Sequence, residues 1–225
     1  MKKTLLSLLL CMLAVVGNAQ NDVTKFLGIP VDGYKADMKQ KLISKGFTPQ
    51  KVNGVEYLEG EFNGANVHVF IATNNNKVCR IMLCDVDTQD EANIKIRFNK
   101  LVRQFENNKR YIHLDDYTLS ETEDISYGMI VNKKIYEAQF YQVPDLDLLM
   151  KRDDIKQEFL KKFTSEQISN PTEEIYQEMQ KLLIAKEAEV LLKKFVWFRI
   201  SEIYGKYYIT MYYDNEYNKA NGEDL

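Results

Sequence analysis

Two stretches decide the fold: Val67–Asp85, VHVFIATNNNKVCRIMLCD, and Val196–Asp214, VWFRISEIYGKYYITMYYD. They align without a gap at an offset of 129, matching Val67 to Val196, Ile71 to Ile200, Lys77 to Lys206, Met82 to Met211 and Asp85 to Asp214. Each reads as two extended runs rich in aromatic and β-branched residues around a turn signal, Asn74–Asn76 in the first and Tyr204-Gly205 in the second. Self-similarity of this kind marks a repeated supersecondary unit.

Upstream the likeness continues. Leu58–Phe62, LEGEF, resembles Tyr136–Phe140, YEAQF, and Val52-Asn53 resembles Val131-Asn132. Ahead of each set lies a helical pattern. Met38, Leu42 and Ile43 share one face and Gly46 ends the helix, while Ile94, Phe98, Leu101, Val102 and Phe105 keep the i, i+4, i+7, i+8, i+11 spacing. Asn53-Gly54 and Asn63-Gly64 supply further hairpin turns in the first copy, and Asn132-Lys133 stands as the matching turn in the second. The expected fold class is α+β: two tandem units of one helix plus a four-stranded antiparallel sheet, the second interrupted by a helical insertion. The expected boundaries are 1–19 for a signal peptide, 20–87 and 88–214 for the two units, 143–195 for the insertion, and 215–225 for a tail.

The insertion, Val143 to Phe195, replaces the middle hairpin of the second unit. Ile155, Phe159, Leu160 and Phe163 form one apolar face, and Asn170-Pro171-Thr172-Glu173 reads as a cap, a proline at the first position and a capping glutamate. Ile175, Met179, Leu182, Leu183 and Val190 then form a long apolar stripe interrupted only by Lys186. Such a stripe packs either on the protein's own sheet or on a partner.

At the N-terminus Lys2 and Lys3 precede an apolar run, Leu5–Val16, and Gly17-Asn18-Ala19. That is the pattern of a secretory signal peptide cleaved after Ala19, and the run is too short to span a bilayer. The expected location is therefore periplasmic or extracellular, with no transmembrane segment after cleavage. The formal net charge of −3 grows more negative when Lys2 and Lys3 leave, and no basic block remains to suggest nucleic acid. Cys79 and Cys84 lie about 16 Å apart along an extended run, beyond the ~7 Å a disulfide allows, so both read as buried free thiols.

The tandem organisation resembles the helix-plus-four-strand repeat of β-lactamase-inhibitory proteins, a likeness of architecture without a shared motif. A nearer resemblance is to uncharacterised exported proteins of Bacteroides-type bacteria. It is carried by Phe26–Gly33 (FLGIPVDG), Gly60–Gly64 (GEFNG), Tyr212–Asn215 (YYDN) and the closing Asn221–Leu225. It implies export and no particular site.

The chemistry in the sequence is sparse. Of the two histidines, His68 has no acid or serine at motif spacing, and His113-Leu114-Asp115-Asp116 lacks a second ligand of metal-site type. No nucleophile elbow, phosphate loop or zinc-protease motif occurs, so no catalytic residue, metal or cofactor is expected. Glu59 and Glu61 share a strand face, which reads as solvated surface. Aromatics make the better case. A hairpin about Tyr204-Gly205 pairs Ser201 with Tyr208, Arg199 with Thr210 and Trp197 with Tyr212 on one face, leaving Phe198, Ile200, Ile209 and Met211 for burial. Trp197, Arg199, Tyr208 and Tyr212 are the candidate binding residues, of types enriched at interaction hot spots, for a protein, peptide or glycan partner. The gapless alignment puts Phe70, Ile81 and Leu83 on the same face and Arg80 on the helix side. The expected function is a non-catalytic exported binding module. The alternatives are an envelope-acting enzyme using carboxylates and a small-ligand or lipid carrier.

Overall fold

A computed structural model describes residues 21–220, so the segment expected to be a signal peptide and the last five residues lie outside the described part. In chain order the elements are β1 (Lys25–Phe26), β2 (Ile29–Pro30), α1 (Lys35–Ile43), β3 (Thr48–Val52), β4 (Val55–Phe62), β5 (Ala65–Asn74) and β6 (Lys77–Asp85). Then come α2 (Glu91–Glu106), β7 (Tyr111–Ile112), α3 (Ile125–Ile130), β8 (Glu137–Gln142), α4 (Leu146–Met150), α5 (Asp153–Lys162), α6 (Ser165–Ser169), α7 (Glu173–Leu191), β9 (Phe195–Ile203) and β10 (Lys206–Asp214). The fold is α+β, with one antiparallel eight-stranded sheet ordered β3-β4-β5-β6-β10-β9-β8-β7 and a small β1–β2 hairpin. Pro49 falls in edge strand β3, where a missing N–H is best tolerated.

The described residues form two compact units: residues 23–142 with 193–220, and Val143–Leu192 with Asn21 and Asp22. In the first, α1 buries Met38 and Leu42, and α2 buries Ile94, Phe98, Leu101, Val102 and Phe105, all on the inner sheet face. They meet Val69, Ile81, Leu83, Phe198, Ile200, Ile209 and Met211 in one core, with Phe98 edge-on to Phe198 at 5.1 Å. Each such side chain contributes about 1.5–3 kcal/mol on burial. Arg97 reaches from α2 to the Asp85 carboxylate (3.1 and 3.3 Å) and to the Asn63 carbonyl (2.9 Å), which ties the helix to the β4–β5 turn. At Asn63-Gly64 both φ angles are positive (50° and 73°), the backbone a two-residue hairpin turn demands.

The segments about Phe26–Gly33 and Tyr212–Asn215 meet in space. Thr24 donates to the Asp214 carbonyl, Asn215 Nδ2 donates to the Val31 carbonyl at 2.7 Å, and Asn218 Nδ2 donates to Asp32 and to the Val78 carbonyl, both at 2.8 Å. Phe26 packs on Tyr213 with ring centroids 4.9 Å apart. FLGIPVDG and YYDN thus clasp the two ends of the unit, a structural role. Gly60 serves packing as well: a Cβ there would lie 2.6 Å from the Phe47 ring.

Three expectations change. The hairpin expected at Asn132-Lys133 is absent; α3 lies before that turn, and Tyr111–Ile112 is the short strand pairing with β8. The helix wins because its N-terminal N–H groups find carboxylates: Asp124 accepts from Tyr127 N (2.7 Å) and Glu91 from Ile125 N (2.7 Å). Next, β5 and β6 pair through a bulge between Ala72 and Thr73, where Ala72 faces Arg80 but Thr73 faces Val78. The extra residue, Cys79, flips the rest of β6 by one position relative to β10. Ile81 and Leu83 are therefore buried in the core, and Arg80 lies on the other face.

The third change concerns the helical unit. Its apolar stripe closes on its own helices: Met179, Leu183 and Val190 of α7 join Ile155 and Phe159 of α5, Leu149, Met150, Phe163 and Ile168 in a separate core. Thr172, not Asn170, caps α7, accepting from Ile175 N, and Thr164 with Gln167 makes a capping box on α6. Lys186 leaves the stripe to pair with Glu158 (2.7 Å) and Glu189 (3.0 Å).

Candidate functional site

The face of the sheet opposite α1 and α2 carries the candidate residues. Alternation sends Trp197, Arg199 and Ser201 of β9 and Tyr208, Thr210 and Tyr212 of β10 to this side, in the register expected: Tyr208 with Ser201, Thr210 with Arg199, Tyr212 with Trp197. The ladder extends the row. Tyr212 faces Met82, Met82 faces Phe70, Trp197 faces Gln139, and Tyr57 lies beside Phe70 with ring centroids 5.7 Å apart. With Gln50 facing Tyr57, one row crosses seven strands: Gln50, Tyr57, Phe70, Met82, Tyr212, Trp197 and Gln139. A solvated antiparallel face ordinarily shows polar residues at such positions. Here the middle of the row is aromatic and sulfur-bearing. The neighbouring row reads Glu59, His68, Cys84, Thr210, Arg199 and Glu137.

The four candidate residues play two different parts. Trp197 and Tyr212 brace each other, stacked at 4.0 Å with 15° between planes. Trp197 Nε1–H donates to Asp214 at 3.1 Å, and the Arg80 guanidinium lies 4.9 Å over the Tyr212 ring. Asp214 is the hub. Its buried carboxylate accepts from Arg80 Nε (2.5 Å) and a terminal nitrogen (2.9 Å), with Lys219 Nζ at 3.3 Å. Burial alone would raise the Asp214 pKa, but the hydrogen bonds from Arg80 and Trp197 outweigh it and hold the carboxyl below its ordinary value. Tyr212 is 8% exposed, so it supports the surface more than it presents one. Arg199 and Tyr208 are half-buried and face outward, as does Trp197 beside its stacked partner. Glu137 opposes Arg199 in register but is bound by Gln139 Nε2 (2.8 Å), and among the described residues no acid makes an ion pair with Arg199.

Of the other residues singled out in sequence, His68 and Glu59 lie on this face in the neighbouring row, and His113 lies elsewhere. His68 Nε2 lies 3.9 Å from Glu59, whose other oxygen accepts from Gln50 Nε2 at 3.1 Å, and the His68 ring packs on Tyr57 at 4.4 Å. His113 Nδ1 meets the Asp115 carbonyl at 3.0 Å. Among the described residues no three His, Cys, Asp or Glu side chains are grouped to hold a metal ion, and no helix is long and apolar enough to cross a membrane. Cys79 and Cys84 are free and half-buried rather than core residues; burial pushes both thiols up in pKa. The bulge turns Cys84, Met82 and Arg80 outward, and sequence alignment missed all three. The available signal was the opposite charge of Arg80 and Asp214, a cross-strand pair on facing strands.

No family model, no curated protein and no solved structure matches this chain.

Proposed function

We propose that this chain is an exported, non-catalytic interaction module that binds through the outer face of its sheet. The observation that carries the reading is the aromatic row across β4, β5, β6, β10 and β9, flanked by Arg199, which makes no ion pair among the described residues. Flat apolar area beside an open guanidinium suits protein recognition. A hexose would need an open ring face, and the facing sides of Trp197 and Tyr212 are spent on each other.

The module reads as two tandem helix-plus-four-strand units, the second carrying the helical insertion between β8 and β9. The strand order supports this, since β3-β4-β5-β6 is continued by β10-β9-β8-β7, and α1 and α2 each precede four strands. The one-residue bulge at Cys79 accounts for the mismatch of faces between β6 and β10 under a gapless alignment. Export rests on the signal-peptide pattern of Lys2 to Ala19.

The test is a capture experiment on envelope and secreted extracts with the wild type and an Arg199→Glu, Tyr208→Ser variant of unchanged melting temperature. A partner identified with the wild type and lost with the variant supports the reading. Equal capture by both, or none by either from a chain that is itself monomeric, removes this face from consideration.

A further inference from the structure

The outer face is self-complementary, and we propose that its occupant is a second copy of this chain, packed sheet against sheet about a two-fold axis lying over β6. This rests on the reading of that face as the binding surface. An isologous interface requires one patch to carry both halves of every contact, and a two-fold parallel to the strands and above β6 pairs the strands in a defined way. Strand β6 then lies over its own copy, β10 over β5, β9 over β4 and β8 over β3.

The residue rows follow from the observed register. In the aromatic row Met82 meets Met82 of the second copy, Phe70 meets its Tyr212, and Tyr57 meets its Trp197, while Gln50 and Gln139 close the row at the rim. In the neighbouring row Arg199 meets Glu59 of the second copy, twice by symmetry, and Glu137 falls over Thr48. Arg199, which makes no ion pair among the described residues, thereby gains an acid. Glu59, engaged among the described residues by Gln50 and at 3.9 Å by His68, gains a guanidinium. The rows bring no two acids together. Where Arg80 meets Arg80, each guanidinium is already matched by its own Asp214 carboxylate.

The area is sufficient. Seven strands at about 4.8 Å spacing and four outward rows at about 6.7 Å make a face on the order of 34 Å by 27 Å. That is roughly 900 Å² on each copy, enough for the ~800 Å² per partner of a stable specific interface. Sheets packed face to face interdigitate at a separation of about 10 Å, which suits ring edges and methionine side chains better than a small ligand.

Sedimentation velocity over a concentration series tests the proposal. The wild type should reach a dimer. Arg199→Glu and Glu59→Arg, each checked for an unchanged far-ultraviolet circular dichroism spectrum, should each weaken dimerisation at least about tenfold. The double reversal, Arg199→Glu with Glu59→Arg, should restore it to near the wild-type value. A wild type that stays monomeric at its highest soluble concentration overturns the proposal. So does a dimer indifferent to both single changes, or a double reversal that remains as weak as the singles. A monomer that still captures another protein through Arg199 and Tyr208 sinks the dimer while leaving the binding face intact. A monomer that captures nothing removes both.

Discussion

Replacing Asp214 by Asn removes a charge and little else, so it measures what the hub is worth. The Asp214 side chain is 1% exposed, and that of Arg80 is 32%. Breaking a fully buried ion pair by neutralising one partner costs about 3–5 kcal/mol. Here solvent reaches about a third of the Arg80 side chain, and the asparagine oxygen can still accept one of the bonds from Arg80 or Trp197. The expected cost is therefore about 2–3 kcal/mol, or a fall of roughly 5–10 °C in melting temperature for a unit of this size. Trp197 is the only tryptophan in the chain and donates to this carboxylate, so its emission reports the unfolding of this unit in urea. The pH dependence carries a second signature. The folded-state pKa of Asp214 is lowered against the burial that opposes it, so its stabilisation is complete above the unfolded value of about 3.9 and is lost as pH falls through the folded value. The gap between wild type and Asp214→Asn should be full at pH 7 and narrow below about pH 4. Replacing both charges, Arg80→Met with Asp214→Leu, should cost less than Asp214→Asn alone. An Asp214→Asn protein with the wild-type urea midpoint at pH 7, or a gap unchanged at pH 3, would refute the reasoning.

Other outcomes follow from single contacts. Gly60→Ala drives a methyl into the Phe47 ring, 2.6 Å away, and should cost about 1–3 kcal/mol in urea unfolding. Phe47→Leu in that background should recover part of the loss, and no recovery would mean the strain lies elsewhere. Burial raises the Cys79 and Cys84 thiols, so at pH 8 the native chain from Gln20 onward should react with a disulfide reagent at least about tenfold more slowly than in denaturant. Equal rates would contradict that burial. Mass spectrometry of the exported protein should find Gln20 as its first residue, and a chain still beginning at Met1 would end the signal-peptide reading.

Much of the fold could be read from local chemistry because the deciding signals are local. Ile94 to Phe105 at helical spacing, Asn63-Gly64 as a hairpin turn and the pairing of Trp197 with Tyr212 all hold in the structure. What misled the reading depends on contacts distant in sequence. The bulge at Cys79 leaves no gap in an alignment, yet it reverses the faces of Arg80, Ile81 and Leu83. Helix α3 forms because Glu91, 34 residues upstream, accepts from Ile125 N, which no window around Val131-Asn132 contains. The candidate site was half visible for the same reason. Period-two alternation placed Trp197, Arg199, Tyr208 and Tyr212 on one face, but the Arg80–Asp214 pair that braces two of them joins strands from opposite halves of the chain.

The account turns on whether the outer sheet face is occupied where the protein works. Hydroxyl-radical footprinting, run on the dilute purified protein and on the same protein in its native extract, measures this directly. Tyr204, 97% exposed at its hairpin tip, serves as the control that should oxidise equally in both. The account predicts that Met82, Phe70 and Tyr208 are protected in the extract relative to the dilute protein. Equal oxidation of all three in both preparations would contradict it.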